Sequence, residues 1–526
     1  MKSLDLTRRA LIFAAITSLS LGGGDRPAAA QTPPGVLIVG QIAEPKSLDP
    51  AAVTAVNDFR ILVNVYEGLV RYEPGTLEVA PALATDWAIS EEGTEYTFTL
   101  REGVTFHDGT PFNAETVKFN FDRMLNEDHP YHDTGPFPLA FFFSAIAKTE
   151  VLDELTVKFT LNAPYAPFLS NLAYPTGLMV SPAAVEQHGA DFGRNPAGTG
   201  PFTFVEWRSN EAVVIEKNPD YWGDPAGTEA VVFRPITDAN TRVAEMLAGG
   251  IDMMVEVPPT ALSRFQGDAF KVVEQAGPHL WFLILNAKEG PFADKRVRQA
   301  ANYAINKRAL VDDVLEGTAE IAAGPTPPAF AWAHNETLAP YPYDPERARA
   351  LLDEAGIEEG TELTFYVTEG GSGMLDPIPM GTAIQADLNA VGFDVKIETY
   401  EWNTFLGEVN PGLEGKADMA EMAWMTNDPD TLPYLALRTE AWPSEGGFNS
   451  GYYSNEEVDR LLEEARVATD QEERARLYKR MQEIVQEDAP WVFVANWKQN
   501  AVTSDRVENF SLEPSFLLQL EGVVKN

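Results

Sequence analysis

The chain has no cysteine. That excludes disulfides, thiol nucleophiles, zinc-thiolate centres and iron-sulfur clusters, and also the lipidated cysteine that tethers many exported proteins to a membrane. Basic residues are scarce: 39 Lys and Arg face 79 Asp and Glu, for a formal charge of -40. So acidic a surface repels nucleic acid phosphates and anionic headgroups, which excludes a nucleic-acid role, and it fits a saline habitat where screening relieves self-repulsion. Long apolar runs are missing too. The one near the start, from Ala10 to Leu21, is shorter than the roughly 20 residues that a bilayer span requires. Internal repeats and low-complexity linkers are also lacking.

What is present describes a large soluble protein. At 526 residues the chain exceeds what one hydrophobic core organises, so two or three domains are expected. With 44% hydrophobic and 22% charged residues, and 38 prolines and 39 glycines spread along its length, it reads as globular and rich in loops. Residues 1–30 read as an export signal: Lys2 and Arg8-Arg9 precede the apolar run, and Ala28-Ala29-Ala30 offers a small-residue cleavage site, with cleavage expected after Ala30. Thr7-Arg8-Arg9-Ala10-Leu11 resembles the twin-arginine export motif; the alternative is a general secretory signal. This segment carries four bases and two acids, so its removal leaves -42.

Periodicity places the elements. Val36 to Gly40 predicts a buried strand, and Phe59, Leu62, Val63, Tyr66 and Leu69 have the spacing of one helical face. Glu95 to Leu100 and Leu155 to Leu161 alternate as half-buried strands do, and Asn113 predicts the cap of a helix through Leu125. Asp344-Pro345 opens a helix that Gly356 closes, and Ile384, Leu388 and Val391 share a face before Phe393, Val395 and Ile397 alternate. Ser454 with Glu457 and Asp470 with Glu473 read as capping boxes, the second preceding an apolar stripe of Leu477, Met481, Ile484 and Val485 that Pro490 ends. Helix into strand of this kind predicts an α/β fold.

Several phrases carry a wider pattern: Tyr66-Glu67-Gly68-Leu69, the stretch Leu100 to Phe112, Asn195-Pro196-Ala197-Gly198-Thr199-Gly200-Pro201-Phe202, Asn218-Pro219-Asp220-Tyr221-Trp222 and Asp294-Lys295-Arg296-Val297-Arg298-Gln299-Ala300. In this order they closely resemble the family 5 extracellular solute-binding proteins, the peptide and nickel class of ABC importers. The resemblance implies a two-lobed periplasmic binding protein fold with a hinge and an extra inserted domain. Its lobe I would comprise 36–80, 198–285 and 495–526, its inserted domain 81–197 and its lobe II 286–494, with crossovers near Leu285 and Ala495. It further implies a monomer that captures a small solute, a di- or oligopeptide or a peptide-like compound, by hinge closure and delivers it to an inner-membrane permease, with no cofactor.

Gly370-Gly371-Ser372-Gly373 lacks the spacing of a nucleophile elbow, and Gly412 to Lys416 is too short for a phosphate loop. His129, His132 and Asp133 flank Pro130-Tyr131, which favours an exposed turn over a metal site, and His107 reads as stabilising a turn. Acid pairs are too many to single out a glycosidase pair, so a secreted hydrolase stays as the alternative class, beside an extracytoplasmic chaperone. The stretch Ala423 to Thr431 combines Trp424, Met425, Asn427, Asp428 and Asp430 around Pro429, and reads either as a ligand wall or as an Asx-Pro turn. In the resembled family an aspartate shortly after a tryptophan in this loop holds a peptide's ammonium. Here Asn427 stands third after Trp424 and Asp428 follows, so either Asp428 takes the role or the ligand is a sugar, an opine or a modified peptide. Trp402, Trp281 and Asn449 complete the expected ligand-binding set, with catalytic and metal sites expected to be absent.

Overall fold

The computed structural model describes residues 32–371 and 373–526; the export-signal reading of residues 1–30 lies outside them. The chain divides into two compact units, one of residues up to Ala163 with Phe168–Gln275 and Gln499–Asn526, the other of Pro164–Pro167 with Ala276–Lys498.

In the first unit the predicted strand runs Val36–Gln41 and is buried throughout. It pairs in parallel with Ala230–Pro235 on one side and Met253–Val255 on the other, and the sheet continues antiparallel through Ala212–Lys217 to Phe202–Arg208. A separate antiparallel sheet has the order Ala84–Ile89, Glu95–Leu100, Thr156–Leu161, Ile146–Asp153, and so contains both alternating segments read from the sequence. The helix Ala114–Leu125 begins where Asn113 was expected to cap it, with Thr116 N–H donating to Asn113 Oδ1 (3.1 Å) and the Thr116 hydroxyl returning to the Asn113 backbone. The last residues close this unit. Asn64 donates to Leu518 O (2.8 Å) and accepts from Leu520 N–H (3.0 Å), Gly35 N–H donates to Lys525 O (3.1 Å), and Lys525 Nζ lies 2.9 Å from Asp252 with both side chains fully buried.

Two expectations are corrected. The helix expected to reach Leu69 stops at Val65, because Tyr66 is extended (φ -124°, ψ 160°) and turns its hydroxyl to Leu48 O (2.8 Å). The helix Glu456–Val467 is capped by Asn455 rather than Ser454: Asn455 Oδ1 accepts from Glu457 N–H (2.9 Å), while the Ser454 hydroxyl bonds Thr439 (2.9 Å).

Three of the family-like phrases meet at one carboxyl. Glu67 is half-buried and accepts from the Thr199 hydroxyl (2.8 Å), Trp222 Nε1–H (2.8 Å) and the Tyr221 hydroxyl (2.9 Å). Burial pushes its pKa up to about 7 against those three donors. Beside it, a Cβ at Gly198 would lie 2.1 Å from Val65 O, so this phrase needs glycine for close backbone approach. His107 belongs to the same region, its Nδ1 accepting from Gly198 N–H (3.3 Å) and its Nε2–H donating to Gly200 O (3.0 Å), a structural pairing.

In the second unit five strands form a mixed sheet in the order Phe393–Tyr400, Thr361–Thr368, Met419–Met425, His279–Leu285 and the first half of Trp491–Ser504. The helices Lys295–Ala304, Pro345–Ala355 and Pro377–Ala390 supply Val297, Leu351, Leu352, Ile384 and Leu388 to a core that also takes Trp281, Leu283, Leu285, Leu363, Phe365, Val492 and Val494 from the sheet. As predicted, Asp344 caps Pro345–Ala355 and Gly356 ends it in the left-handed conformation (φ 75°). Asp470 likewise caps Gln471–Asp488.

Lys307 is buried in this unit, and among the described residues no carboxylate pairs with it; its Nζ donates to Asn302 O (3.2 Å) and Oδ1 (3.4 Å). Desolvation lowers its pKa to about 7. Below about pH 7 the folded chain carries the full cost of a buried ammonium, and stability rises as pH climbs towards the unfolded lysine value. Lys307→Met is expected to stabilise the protein by about 2 kcal/mol near pH 7, with the advantage over wild type shrinking as pH approaches about 10.4. Denaturant titrations at the two pH values check this.

Candidate ligand-binding site

The second unit contains a cavity of about 310 Å³. Its floor follows from strand geometry. Side chains of a strand alternate between faces, so in His279–Leu285 the residues Trp281, Leu283 and Leu285 enter the helical core while Phe282 and Ile284 face the other way, onto the cavity. The neighbouring strand pairs in matching register, with Phe282 opposite Met422 and Leu280 opposite Trp424. Met422 and Trp424 therefore join the same wall, and Trp491, opposite Ile284, extends it with its ring 4.3 Å from that of Phe282. Phe448 meets Trp424 edge to face at 5.5 Å. From the sheet edge the helix Trp402–Val409 contributes Trp402, Leu406 and the following Asn410. Trp402 lies against Gly371, where a Cβ would approach its ring to 2.4 Å, so glycine is what lets the indole reach this position.

Only some of the expected residues are here. Trp402 and Trp424 line the cavity. Trp281 is corrected: it is 0% exposed, on the core face, and donates Nε1–H to Met374 O (3.0 Å). Asn449 is corrected too. It is buried between two cavity residues, Phe448 and Ser450, but its amide donates to Arg438 O and Tyr453 O (2.8 Å each) and accepts from Tyr453 N–H (3.1 Å), a clamp on its own loop. Asn427 is buried and accepts from the Thr431 hydroxyl (3.2 Å).

Asp428 is the chief correction. Its side chain is 0% exposed and Oδ1 accepts from Arg474 Nη2 (2.8 Å) and Asp430 N–H (2.9 Å). Asp430 in turn pairs with Arg466 (2.6 Å), and its other oxygen accepts from the Tyr478 hydroxyl (3.4 Å); burial pushes its pKa up to about 6 against the pull of Arg466. Arg466 lies over the rings of Tyr434 (3.6 Å) and Tyr165 (4.8 Å). The two acids pin the turn onto the helices Glu456–Val467 and Gln471–Asp488, so the charge expected to meet a ligand is neutralised inside the protein.

Sequence reasoning missed Phe282, Ile284, Met422, Phe448's neighbour Ser450 and Trp491. The signal was present in the alternation of the runs Leu280 to Leu285 and Trp491 to Val494, but which parity faced a ligand was not. Two buried titratable groups sit on the core side of the same strands. Glu421 accepts from Thr368 N–H (2.7 Å) and burial raises its pKa well above the usual carboxylate range. His279 accepts at Nδ1 from Trp497 N–H (3.2 Å) and donates from Nε2 to Gly373 O (2.8 Å), and burial lowers its pKa to about 4, leaving a neutral ring. His129 and His132 make separate contacts, the first against Phe119 (5.0 Å) and the second with Arg123 O (3.0 Å), and among the described residues no group of three or more acids and histidines could hold a metal ion.

Residues 78–445 match the family model for bacterial extracellular solute-binding proteins, family 5, middle region. The chain belongs to this family. Di/tripeptide-binding protein 2 of Pseudomonas aeruginosa is 32% identical over 93% of this chain and 94% of its own. Heme-binding protein A of Haemophilus influenzae is 34% identical over 86% of this chain and 85% of its own. Among solved structures, HbpA2 from Haemophilus parasuis superposes with a TM-score of 0.86 at 31% identity, over 93% of this chain and all of that one. The family 5 fold thus places the cavity in an α/β unit of a solute-binding protein.

Because Asp428 is buried, removing its partner strands a charge. Arg474→Met is expected to destabilise this solute-binding protein by about 3–5 kcal/mol, whereas Trp424→Ala, at a half-buried wall position, is expected to cost far less. Thermal and denaturant unfolding of the two variants checks the contrast.

Proposed function

We propose that the chain is the extracytoplasmic receptor of an ABC importer for di- and tripeptides, binding without chemical change and handing its cargo to a membrane permease. The observation that carries this is the 32% identity, over nearly the whole of both chains, to a di/tripeptide-binding protein, joined to a cavity built from the unit's central strands. The unit that contains 198–275 and 499–526 acts as one lobe, bearing the insert 81–197, and the unit that contains Ala276–Lys498 as the other. The ligand favours a closed form and the permease reads that form, so the energy of closure is the difference in the ligand's affinity for open and closed states. Trp402 and Trp424 contact the ligand. The protein works as a monomer in the periplasm, unanchored by lipid because the sequence offers no cysteine to modify.

Calorimetric titration of the chain from Gln31 onward with di- and tripeptides is expected to show saturable one-to-one binding. Absence of binding across such a panel overturns the peptide reading, and mass spectrometry of the molecule that co-purifies from periplasm then identifies the cargo.

Export is proposed to use the twin-arginine route, on the strength of Arg8-Arg9 directly before the apolar run. Replacing both by lysine is expected to leave precursor in the cytoplasm; normal export of that variant assigns the general secretory route instead.

A further inference from the structure

We propose that the cavity of the second unit is a selectivity pocket for one bulky, uncharged side chain of the peptide, aromatic or branched aliphatic, and that it rejects charged side chains. This rests on the peptide reading and specifies which peptides it covers.

The chemistry of the wall decides it. Phe282, Ile284, Met422, Trp424, Phe448 and Trp491 give the cavity an apolar lining, and Asn410 and Ser450 carry its polar side chains. Ser450 is itself buried, its hydroxyl 3.4 Å from Phe448 O. Among the described residues, none that lines the cavity bears a charge. The acids next to the lining residues have partners of their own: Asp428 with Arg474, Asp430 with Arg466, Glu421 with Thr368 N–H on the far face of its strand, Glu401 with Thr404 N–H (3.3 Å) and Glu408 with Lys416 (3.1 Å). A lysine or glutamate entering this space would lose its hydration and find no counter-ion, a cost of several kcal/mol for an unpaired ion. A leucine or phenylalanine would meet rings and thioethers. At about 310 Å³ the cavity is at the small end of ligand pockets, sized for one side chain rather than a whole peptide. Its wall is also fixed in shape, since Trp424 is held edge-on by Phe448, Trp402 lies parallel to Phe405 (13° between planes) and Trp491 packs on Phe282, while Met422 and Met425 supply the adaptable surface that accepts both branched and aromatic groups.

The test is a tripeptide series on an Ala-Ala-Ala host, with Leu, Phe, Lys or Glu placed at each position in turn and affinity read by calorimetry. At one position Leu and Phe are expected to bind at least about 100-fold more tightly than Lys and Glu. Lys or Glu within threefold of Leu at every position overturns the assignment while leaving the peptide reading intact; failure of every tripeptide to bind overturns both. A gain-of-function variant guards against misfolding. Leu406 is half-buried on the cavity side of a helix, so Leu406→Glu is tolerated by the fold and places a carboxylate in the pocket. It is expected to raise the affinity of the Lys peptide at the selective position at least tenfold and to lower that of the Leu peptide. An unchanged order of preference in that variant places the selected side chain elsewhere and overturns the proposal.

Discussion

The second unit depends on a parity. In a β-strand neighbouring side chains face opposite ways, and the paired strands His279–Leu285 and Met419–Met425 use the two faces for different purposes. One parity, with Trp281, Leu283 and Glu421, packs under helices; the other, with Phe282, Ile284, Met422 and Trp424, is left uncovered enough to hold a cavity. A slip of one residue would exchange core for binding wall. The matched register of seven residue pairs along these strands prevents that slip, and the core face supplies the reason for the register, since Trp281 fits only where its indole N–H meets Met374 O.

The helix ends were legible in the sequence because capping is local chemistry: Asn113, Asp344 and Asp470 each cap the helix predicted for them, within four residues of the group they bond. The family was legible because its phrases are contiguous. The site was less so. Trp402 and Trp424, expected as wall residues, line the cavity, but Trp281 differs from Phe282 only by parity, and nothing in an apolar run states which face will be covered. Asp428 shows a second limit. Its partner Arg474 lies 46 residues on, in a helix whose exposed face is full of charge, and no local rule distinguishes the one arginine that turns inward. Ordinary Asx-Pro turn chemistry describes Asp428 and Asp430 better than ligand recognition does.

In a chain with twice as many acids as bases the surface offers every cation a partner, yet at several points the cations turn inward. Arg60 pairs with Glu256, Arg123 with Asp49 and Arg474 with Asp428, each arginine side chain less than 10% exposed. Each such pair costs desolvation on both sides and is worth little net stability, but it fixes one arrangement of loop on helix. Most of the acids have no such inward partner and remain outside, where salt screens their repulsion.

The closing of the first unit by residues 499–526 bears on how the protein comes to be folded. Asn64, whose amide also donates to Arg60 O (2.9 Å), completes its bonding with Leu518 and Leu520, and the buried Asp252 acquires its lysine at position 525. These contacts join residues more than 250 positions apart, so the unit that begins first on the ribosome is finished last. The second unit draws nearly all its chain from one uninterrupted stretch, Ala276–Lys498, and is free to assemble earlier. Synthesis order and folding order therefore run opposite ways, and until release the early segments wait as an incomplete sheet with open edges, which are templates for aggregation.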